Sequence, residues 1–376
     1  MHAANPSSTS SLTRLMKFHS LAVHEVRKET RDAIVVEFTV PPHLRDRFSF
    51  TQGQYLTLRA PIGGAEERRS YSICSSPISG TLRVAIKRLD DGVFSAWAHA
   101  TLAPGMSLDV APPEGRFYLP LDPSHRRHYL AFAAGSGITP VISLIETTLA
   151  VEPQSRFTLV YGNRSSSSTM FREELLRIKD RYLSRFALIF VTSRERQEIE
   201  LFNGRIDRER TRLLTQSWID LGDVDHVFLC GPESMMEGVV LALRDRGFDR
   251  KRVIVERFTT NGHRRAPRPE REKIERHQTS HVSVRLDGAV RTFDVDRGRE
   301  SVLEAGLRSG IDLPYSCKSG ICSSCRAQLT GGEVDMDVHF ALEDYEVRSG
   351  VVLMCQSHPV SESVELDVDA IAAQLI

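Results

Sequence analysis

The sequence predicts a multidomain chain: an antiparallel β-barrel, an α/β domain with a parallel sheet, and a C-terminal β-grasp domain. Three observations support this prediction. Short alternating runs broken by Pro, Gly and charged turns fill residues 18–121. A continuous apolar strand, a glycine turn and an amphipathic helix begin near Arg127. Cysteines at C-x4-C-x2-C spacing follow a predicted hairpin and short helix after residue 281.

The bulk composition excludes several classes of protein. The chain has 376 residues with 49 Lys and Arg against 49 Asp and Glu, and this balance argues against a general nucleic-acid binder. No apolar run reaches the length of a membrane span. Residues 1–16 have no apolar core like that of a signal peptide, so we expect a disordered polar tail and a cytoplasmic protein.

The barrel region contains the run RRSYSICSSP, in which Arg69, Tyr71 and Ser72 stand out. A guanidinium suits a phosphate, an aromatic plane suits a flat ring, and a small hydroxyl suits a ring nitrogen. Taken alone, the run also fits a strand with a surface arginine and a half-buried tyrosine. Gly92 and Ser95 come next and are predicted to begin a helix, whose N-terminal N–H groups would bind a phosphate.

The second region begins with HYLAFAAGSGITP. Gly135 and Gly137 allow a sharp turn close to a phosphate, and the helix predicted to begin near Thr139 and Pro140 points its positive end there. The third glycine of a Rossmann fingerprint is absent, because Pro140 stands in its place.

A second apolar strand ends in Cys230, Gly231 and Pro232, and Cys230 also fits a buried strand-end thiol. Arg164 precedes four serines after another strand end, and Arg194 follows a third. Arginine with hydroxyls favours the 2′-phosphate of NADPH over the ribose hydroxyls of NADH, although solvated surface arginines would look the same.

The C-terminal cysteines Cys317, Cys322 and Cys325, with Cys355 further on, have plant-type [2Fe-2S] spacing. The cluster needs backbone N–H groups close to sulfur, which only small residues permit. Such residues fill the loop: Ser316, Ser319, Gly320, Ser323 and Ser324. The alternatives are a zinc site that includes His358 and, less in keeping with a chain lacking a secretory segment, a disulfide framework.

The R-x-Y-S run, the GVFS run, GSGITP and C-G-P occur in the order found in the ferredoxin–NADP reductase family, which the chain resembles. The resemblance implies that Arg69 holds the flavin phosphate, Tyr71 lies along the flavin, and Ser72 reaches its N5 region. Gly92 and Ser95 would meet the pyrophosphate of FAD. The choice of FAD over FMN comes from the family.

The same resemblance implies that GSGITP and Cys230–Pro232 form the nicotinamide pocket, with Cys230 near the reacting carbon and Phe258 covering the flavin ring. Ser72 and Cys230 would line the site, and no side chain would act as an acid or base, because the reaction is a hydride transfer. Glu256 is only a candidate for electrostatic tuning.

The order of the three domains resembles that of single-chain reductases serving bacterial oxygenases, and motifs such as GQYLTLRA, TLVYGNR, FREEL and DLPYSCKSGICSSC most resemble the reductase family of ring-1,2-phenylacetyl-CoA epoxidases. This implies electron flow from NADPH through FAD and a [2Fe-2S] cluster to a diiron oxygenase that epoxidises phenylacetyl-CoA. The alternatives are an NADH-dependent reductase of a steroid or aromatic-ring oxygenase, and a flavin and iron–sulfur redox sensor. The expected domains are 17–122, 123–258 and 281–376, with a linker at 259–280.

Overall fold

The computed structural model describes residues 17–258 and 278–373, which fall into two compact units, 18–258 and 278–373. The expected polar tail at 1–16 and most of the expected linker lie outside the described residues. Within the described ranges, no helix combines the length and apolar character needed to cross a membrane.

The first half of unit 18–258 is an antiparallel six-stranded sheet in the order β4-β3-β6-β1-β2-β5. Its elements are β1 (His19–Thr30), β2 (Ala33–Thr39), β3 (Tyr55–Ile62), β4 (Ala65–Ser72), β5 (Leu82–Lys87), α1 (Val93–Thr101) and β6 (Ser107–Val110). The two outer strands meet through a bridge between Ile73 and Val84, which closes the sheet into the predicted barrel. Alternating residues such as Leu56, Leu58 and Val36 are fully buried inside it.

The second half of this unit is a parallel five-stranded sheet in the order β11-β10-β7-β8-β9. Its elements are β7 (His128–Ala134), α2 (Ile138–Val151), β8 (Arg156–Asn163), α3 (Arg172–Arg181), β9 (Phe186–Thr192), α4 (Arg208–Ser217), β10 (His226–Cys230), α5 (Glu233–Asp245) and β11 (Val253–Glu256). The chain leaves β7 on one side for β8 and returns on the other side as β10. Ligands of such sheets bind at the carboxyl ends of strands where the strand order reverses, which here are β7 and β10.

Unit 278–373 has a five-stranded sheet in the order β13-β12-β18-β14-β16 and a two-stranded sheet of β15 and β17. Its elements are β12 (Thr279–Leu286), β13 (Ala289–Asp296), α6 (Val302–Arg308), β14 (Arg326–Gly331), β15 (Val334–Met336), α7 (Asp344–Arg348), β16 (Val351–Leu353), β17 (Ser357–Pro359), β18 (Ser363–Asp367) and α8 (Asp369–Ala373). The predicted turn at Asp287 and Gly288 is confirmed, because both residues have positive φ and Leu286 pairs with Ala289.

The AQLTGGEVDM run also predicts a hairpin, and this prediction is wrong. β14 pairs with β16 and β18, whereas β15 pairs with β17. Gly332 lies against β18, since a Cβ added there would stand 2.1 Å from the carbonyl oxygen of Ser363. The glycine pair therefore permits close approach of another strand instead of reversing the chain.

The barrel and the parallel-sheet domain share a buried interface in which α2 and α3 face the barrel. Ser143 donates a hydrogen bond to the carbonyl of Ser75 (2.7 Å), and the hydroxyls of Ser76 and Thr147 lie 2.8 Å apart. Barrel residues such as Cys74 belong to the same apolar cluster as the helices.

A titratable carboxyl lies at this interface. Burial raises the pKa of Glu146 on α2 to about 7, Glu174 raises it further, and Arg83, Arg181 and Arg177 oppose the shift. Because the folded-state pKa exceeds the ordinary value of 4.5, the native state holds the proton more tightly. This stabilising contribution is present below pH 4.5 and is lost as the pH rises towards about 7.

We expect Glu146→Gln to remove this pH dependence. Relative to the parent, the variant should gain roughly 1–2 kcal/mol of stability between pH 5.5 and pH 8, because the carboxyl is only partly exposed and must ionise in the parent. Thermal unfolding monitored by circular dichroism at the two pH values measures this difference. Glu198→Gln, at an exposed position of the same domain, is the control. Identical pH profiles for the parent and Glu146→Gln would contradict the assignment.

Candidate functional site: a flavin and nucleotide cleft and a four-cysteine loop

The R-x-Y-S residues lie at the end of β4 next to the start of α1. The ring of Tyr71 stands 5.7 Å from that of Phe94 in the first turn of α1, so the two sequence motifs meet. Burial raises the pKa of Tyr71 above its ordinary value, which keeps the phenol neutral. Arg69 is about half exposed, and its guanidinium pairs with Glu67 at 2.9 Å. A phosphate bound there would share this guanidinium with Glu67.

Gly92 and Ser95 form the turn that begins α1. The Ser95 hydroxyl accepts a hydrogen bond from the N–H of Leu89 and donates one to the carbonyl of Gly92, both at 3.1 Å. A Cβ at position 92 would stand 2.4 Å from that hydroxyl, so the turn requires glycine. The hydroxyl of Ser95 is therefore used in shaping the turn, which leaves the backbone N–H groups of α1 as the groups suited to a pyrophosphate.

The GSGITP turn and the C-G-P turn touch each other at the carboxyl ends of β7 and β10. A Cβ on Gly137 would stand 2.1 Å from the carbonyl oxygen of Cys230, and one on Gly231 would stand 3.2 Å from the amide of Ala134. Gly135 has φ +55° with open space above it, which is a cradle suited to a phosphate group. The chain thus fits a nicotinamide nucleotide at the point where the strand order reverses.

Helix α2 begins directly behind the glycine turn, one residue before Thr139. The Thr139 hydroxyl donates to the carbonyl of Ser136 at 3.0 Å, and Pro140 occupies the first turn, where a missing N–H costs nothing. The Tyr161 hydroxyl on β8 donates a hydrogen bond to the carbonyl of Gly135 at 2.9 Å and so helps to hold the GSGITP turn in place.

Cys230 is fully buried at the end of β10, and burial raises its pKa well above the usual range, with the Glu256 charge adding to the shift. Glu256 lies opposite Cys230 in the register of β10 and β11. The thiol therefore stays protonated and supplies shape rather than charge. Pro232 caps α5, and Phe258 packs at the edge of the core cluster between the two domains.

Two arginines meet where β8 and β9 end. The amide of Arg194 donates to the carbonyl of Arg164 at 2.8 Å, and both side chains are exposed. A third residue, Glu195, was not predicted: its carboxylate accepts hydrogen bonds from the amide (2.7 Å) and the hydroxyl (2.6 Å) of Ser166. Its only signal in the sequence is its place just after a strand end, which many surface residues share.

The four predicted cysteines converge as two pairs. A hydrogen bond from Cys322 lowers the pKa of Cys317 to about 7, and one from Cys325 lowers the pKa of Cys355. Within residues 17–258 and 278–373, no three His, Cys, Asp or Glu side chains are grouped as ligands of a single metal ion. Two thiols for each of two irons is the donor set of a [2Fe-2S] cluster.

The loop also directs backbone N–H groups at sulfur. The amide of Ser319 lies 3.3 Å from Sγ of Cys317, that of Cys317 lies 3.4 Å from Sγ of Cys322, and the amide of Gly320 donates to Cys355. The wrap requires positive φ, and it is found at three positions: Lys318 (+54°), Gly320 (+73°) and Ser323 (+57°). An anionic cluster is stabilised by such donors, so the residues present fit it.

The structure argues against the zinc alternative. His358 is buried and directs both ring nitrogens elsewhere, Nε2 to Asp337 (3.1 Å) and Nδ1 to the carbonyl of Glu300 (3.0 Å). It is therefore a structural histidine and not a fourth zinc ligand beside Cys355.

Comparison with known proteins agrees with this geometry. Residues 20–118 match the oxidoreductase FAD-binding domain family, residues 132–240 the oxidoreductase NAD-binding domain family, and residues 284–360 the 2Fe-2S iron-sulfur cluster binding domain family. These matches define the chain as an electron-transfer oxidoreductase that uses a nicotinamide nucleotide, FAD and a [2Fe-2S] cluster.

The chain is 42% identical over 94% of its length to a subunit of 1,2-phenylacetyl-CoA epoxidase from Escherichia coli (strain K12), covering 98% of that protein. It is 33% identical over 92% of its length to the ferredoxin reductase component of 3-ketosteroid-9-alpha-monooxygenase from Rhodococcus rhodochrous, covering 96% of that protein. The chain belongs to this family of reductases, within the ferredoxin–NADP reductase group with a C-terminal [2Fe-2S] domain. Phthalate dioxygenase reductase shares its fold, with a TM-score of 0.58 at 24% identity over 93% of this chain and 98% of that one.

Proposed function

We propose that the chain takes electrons from NADPH and delivers them to the oxygenase component of a cytoplasmic epoxidase that acts on phenylacetyl-CoA. The observation that carries the proposal is the 42% identity to a subunit of such an epoxidase, which extends over all three domains. When bound, FAD and the [2Fe-2S] cluster supply the conversion of a two-electron hydride into single electrons. The oxygenase that accepts these electrons would be a diiron enzyme.

The proposed roles of the residues follow the geometry. Arg69, Tyr71 and Ser72 would hold FAD, with the α1 turn at Gly92 and Ser95 meeting its pyrophosphate. The nicotinamide nucleotide would lie on the two touching turns and along Arg164. These turns contribute Gly135, Gly137, Thr139, Pro140, Cys230, Gly231 and Pro232. Phe258 would cover the flavin ring. Cys317, Cys322, Cys325 and Cys355 would ligate the cluster. The proposed domain limits are 17–122, 123–258 and 279–376; the last domain begins two residues before the expected limit of 281, because β12 begins at Thr279.

The test of the proposed partner is product formation. Purified oxygenase subunits of a phenylacetyl-CoA epoxidase, oxygen, NADPH and phenylacetyl-CoA are combined with and without this chain. Epoxide that forms only when the chain is present supports the proposal. Reduction of the flavin and cluster by NADPH without epoxide would reject this partner and leave the reductase assignment intact.

The preference for NADPH rests on Arg164 and Arg194, whose adjoining backbones place two cations where β8 and β9 end. A guanidinium binds a 2′-phosphate more strongly than a ribose hydroxyl. We expect Arg164→Ala to raise the KM for NADPH by about tenfold and to leave that for NADH within about twofold. The measurement is steady-state reduction of an artificial acceptor with each nucleotide, and Arg196→Ala, an exposed arginine in the neighbouring loop after β9, is the control.

The second candidate is an NADH-dependent reductase of another oxygenase, such as one acting on a steroid. Two observations favour it: the carboxylate of Glu195 beside Ser166, since a carboxylate at a strand end suits ribose hydroxyls, and the 33% identity to the ketosteroid monooxygenase component. An equal rise in the KM for both nucleotides in Arg164→Ala, together with faster reduction of the parent protein by NADH than by NADPH, would select this candidate.

A further inference from the structure

A buried carboxylate of the barrel contacts the nucleotide domain at a place where neither residue would touch a cofactor. The carboxylate of Glu29, at the end of β1, accepts a hydrogen bond from the backbone N–H of Phe171 at 2.7 Å. The other carboxylate oxygen of Glu29 pairs with Arg27 at 2.7 Å, and the Glu29 side chain is only 9% exposed. The nearby ion pair of Arg83 on β5 with Glu174 on α3 (3.4 Å) joins the same two domains.

Phe171 is an unusual anchor point. Its φ of +56° lies in the left-handed region, which a bulky residue adopts only when its surroundings hold it there. Its ring is buried in the cluster shared by both domains, and its carbonyl begins the hydrogen bonding of α3 through Leu175. The N–H at the helix start would otherwise be an orphan donor, and the carboxylate of Glu29 satisfies it favourably.

The segment that ends at Phe171 begins at the proposed nucleotide site. It leaves β8 at Arg164 and turns through Ser165 and Ser168, whose side chains and backbones bond each other. The hydroxyl of Thr169 donates to the carbonyl of Ser165 at 2.9 Å. Residues 164–171 are thus a tightly bonded connection between the edge that would hold the nucleotide and the barrel that holds the flavin.

We propose that Glu29 is a positioning residue for hydride transfer, because its bond to Phe171 fixes the orientation of the nucleotide domain on the flavin barrel. Hydride transfer depends steeply on the distance and angle between the two rings, so a small rotation of one domain lowers the rate even when both cofactors are bound. The proposal does not depend on the choice between NADPH and NADH, since Glu29 acts on the domains and not on the 2′-phosphate.

The test is anaerobic rapid-mixing reduction of the flavin in the full-length holoprotein, with each nucleotide over a range of concentrations. Glu29→Ala should lower the limiting rate by about tenfold or more with both nucleotides, while the half-saturating concentration changes by less than about twofold. Glu29→Gln keeps an oxygen that accepts from the N–H of Phe171 and should retain most of the rate. Glu25→Gln, at an exposed position of the same strand, is the matched control and should behave as the parent.

Glu29→Asp guards against a folding defect, because it keeps the charge and shortens the reach to Phe171. It should lose rate as Glu29→Ala does. An unchanged limiting rate in Glu29→Asp and Glu29→Ala proteins with full FAD content would overturn the proposal. So would an equal loss in Glu25→Gln. A rate loss for NADPH alone would instead place Glu29 in nucleotide recognition and would also overturn it.

Discussion

Electron delivery beyond the flavin is expected to disappear in a Cys355→Ala variant, while reduction of the flavin by the nucleotide keeps its rate. Cys355 lies in the turn after β16 beside Cys325, so its loss would leave one iron of the proposed cluster with a single thiolate. We expect turnover with a one-electron acceptor protein to fall by at least about a hundredfold. Loss of a residue that only hydrogen-bonds to a metal ligand already lowers metal affinity or activity by about ten- to hundredfold.

The measurement combines iron content, visible absorbance and oxygenase-coupled turnover of the purified variant. Cys74→Ser is the control for loss of a thiol, because Cys74 is buried in the barrel and its thiol donates to the carbonyl of Arg83, as a serine hydroxyl also can. Full turnover in Cys355→Ala would contradict the assignment of Cys355 as a ligand.

Gly137→Ala is expected to have the second large effect, this time on reduction of the flavin. The added Cβ would stand 2.1 Å from the carbonyl oxygen and 2.5 Å from the carbonyl carbon of Cys230. Both are backbone atoms at the end of a buried strand, so relief requires the two turns to separate. Because a displacement of about 1 Å costs roughly a hundredfold in a positioned reaction, we expect a loss of that order in the rate of flavin reduction.

Rapid-mixing reduction by NADPH, compared with reduction by dithionite, separates this effect from damage to the flavin domain. Dithionite should reduce Gly137→Ala at the parent rate. Gly222→Ala is the control, because the nearest atom to its added Cβ is the side chain of Asp220 at 3.2 Å, in an exposed turn. A Gly137→Ala protein reduced by NADPH at the parent rate would show that the contact of the two turns is unimportant.

Local chemistry explains why much of the site could be predicted from the sequence. Cysteine spacing, a glycine turn after an apolar strand, and a strand ending in C-G-P each reflect requirements met within a few residues. The structure brings the predicted partners together: Gly137 touches Cys230, and Tyr71 contacts the helix opened by Gly92.

The features that the sequence did not predict depend on contacts made in the folded chain, most of them between residues far apart in the sequence. Glu29 meets Phe171 across 142 positions of the chain, and no local pattern marks either residue for the other. The sequence predicts a hairpin at Gly332 because two adjacent glycines commonly form turns, whereas the approach of Ser363 decides its role. Ser95 fits its motif by position, but its hydroxyl shapes the turn at Gly92.

This single chain joins a flavin that takes two electrons to a cluster that takes one. Anaerobic titration of the holoprotein with NADPH, followed by the absorbance of both groups and by the paramagnetic signal of a reduced [2Fe-2S] cluster, tests it most directly. We expect NADPH alone to reduce both groups and a full dithionite titration to consume about three electrons per chain. Reduction of the flavin with a cluster that stays oxidised, or uptake of about two electrons only, would contradict it.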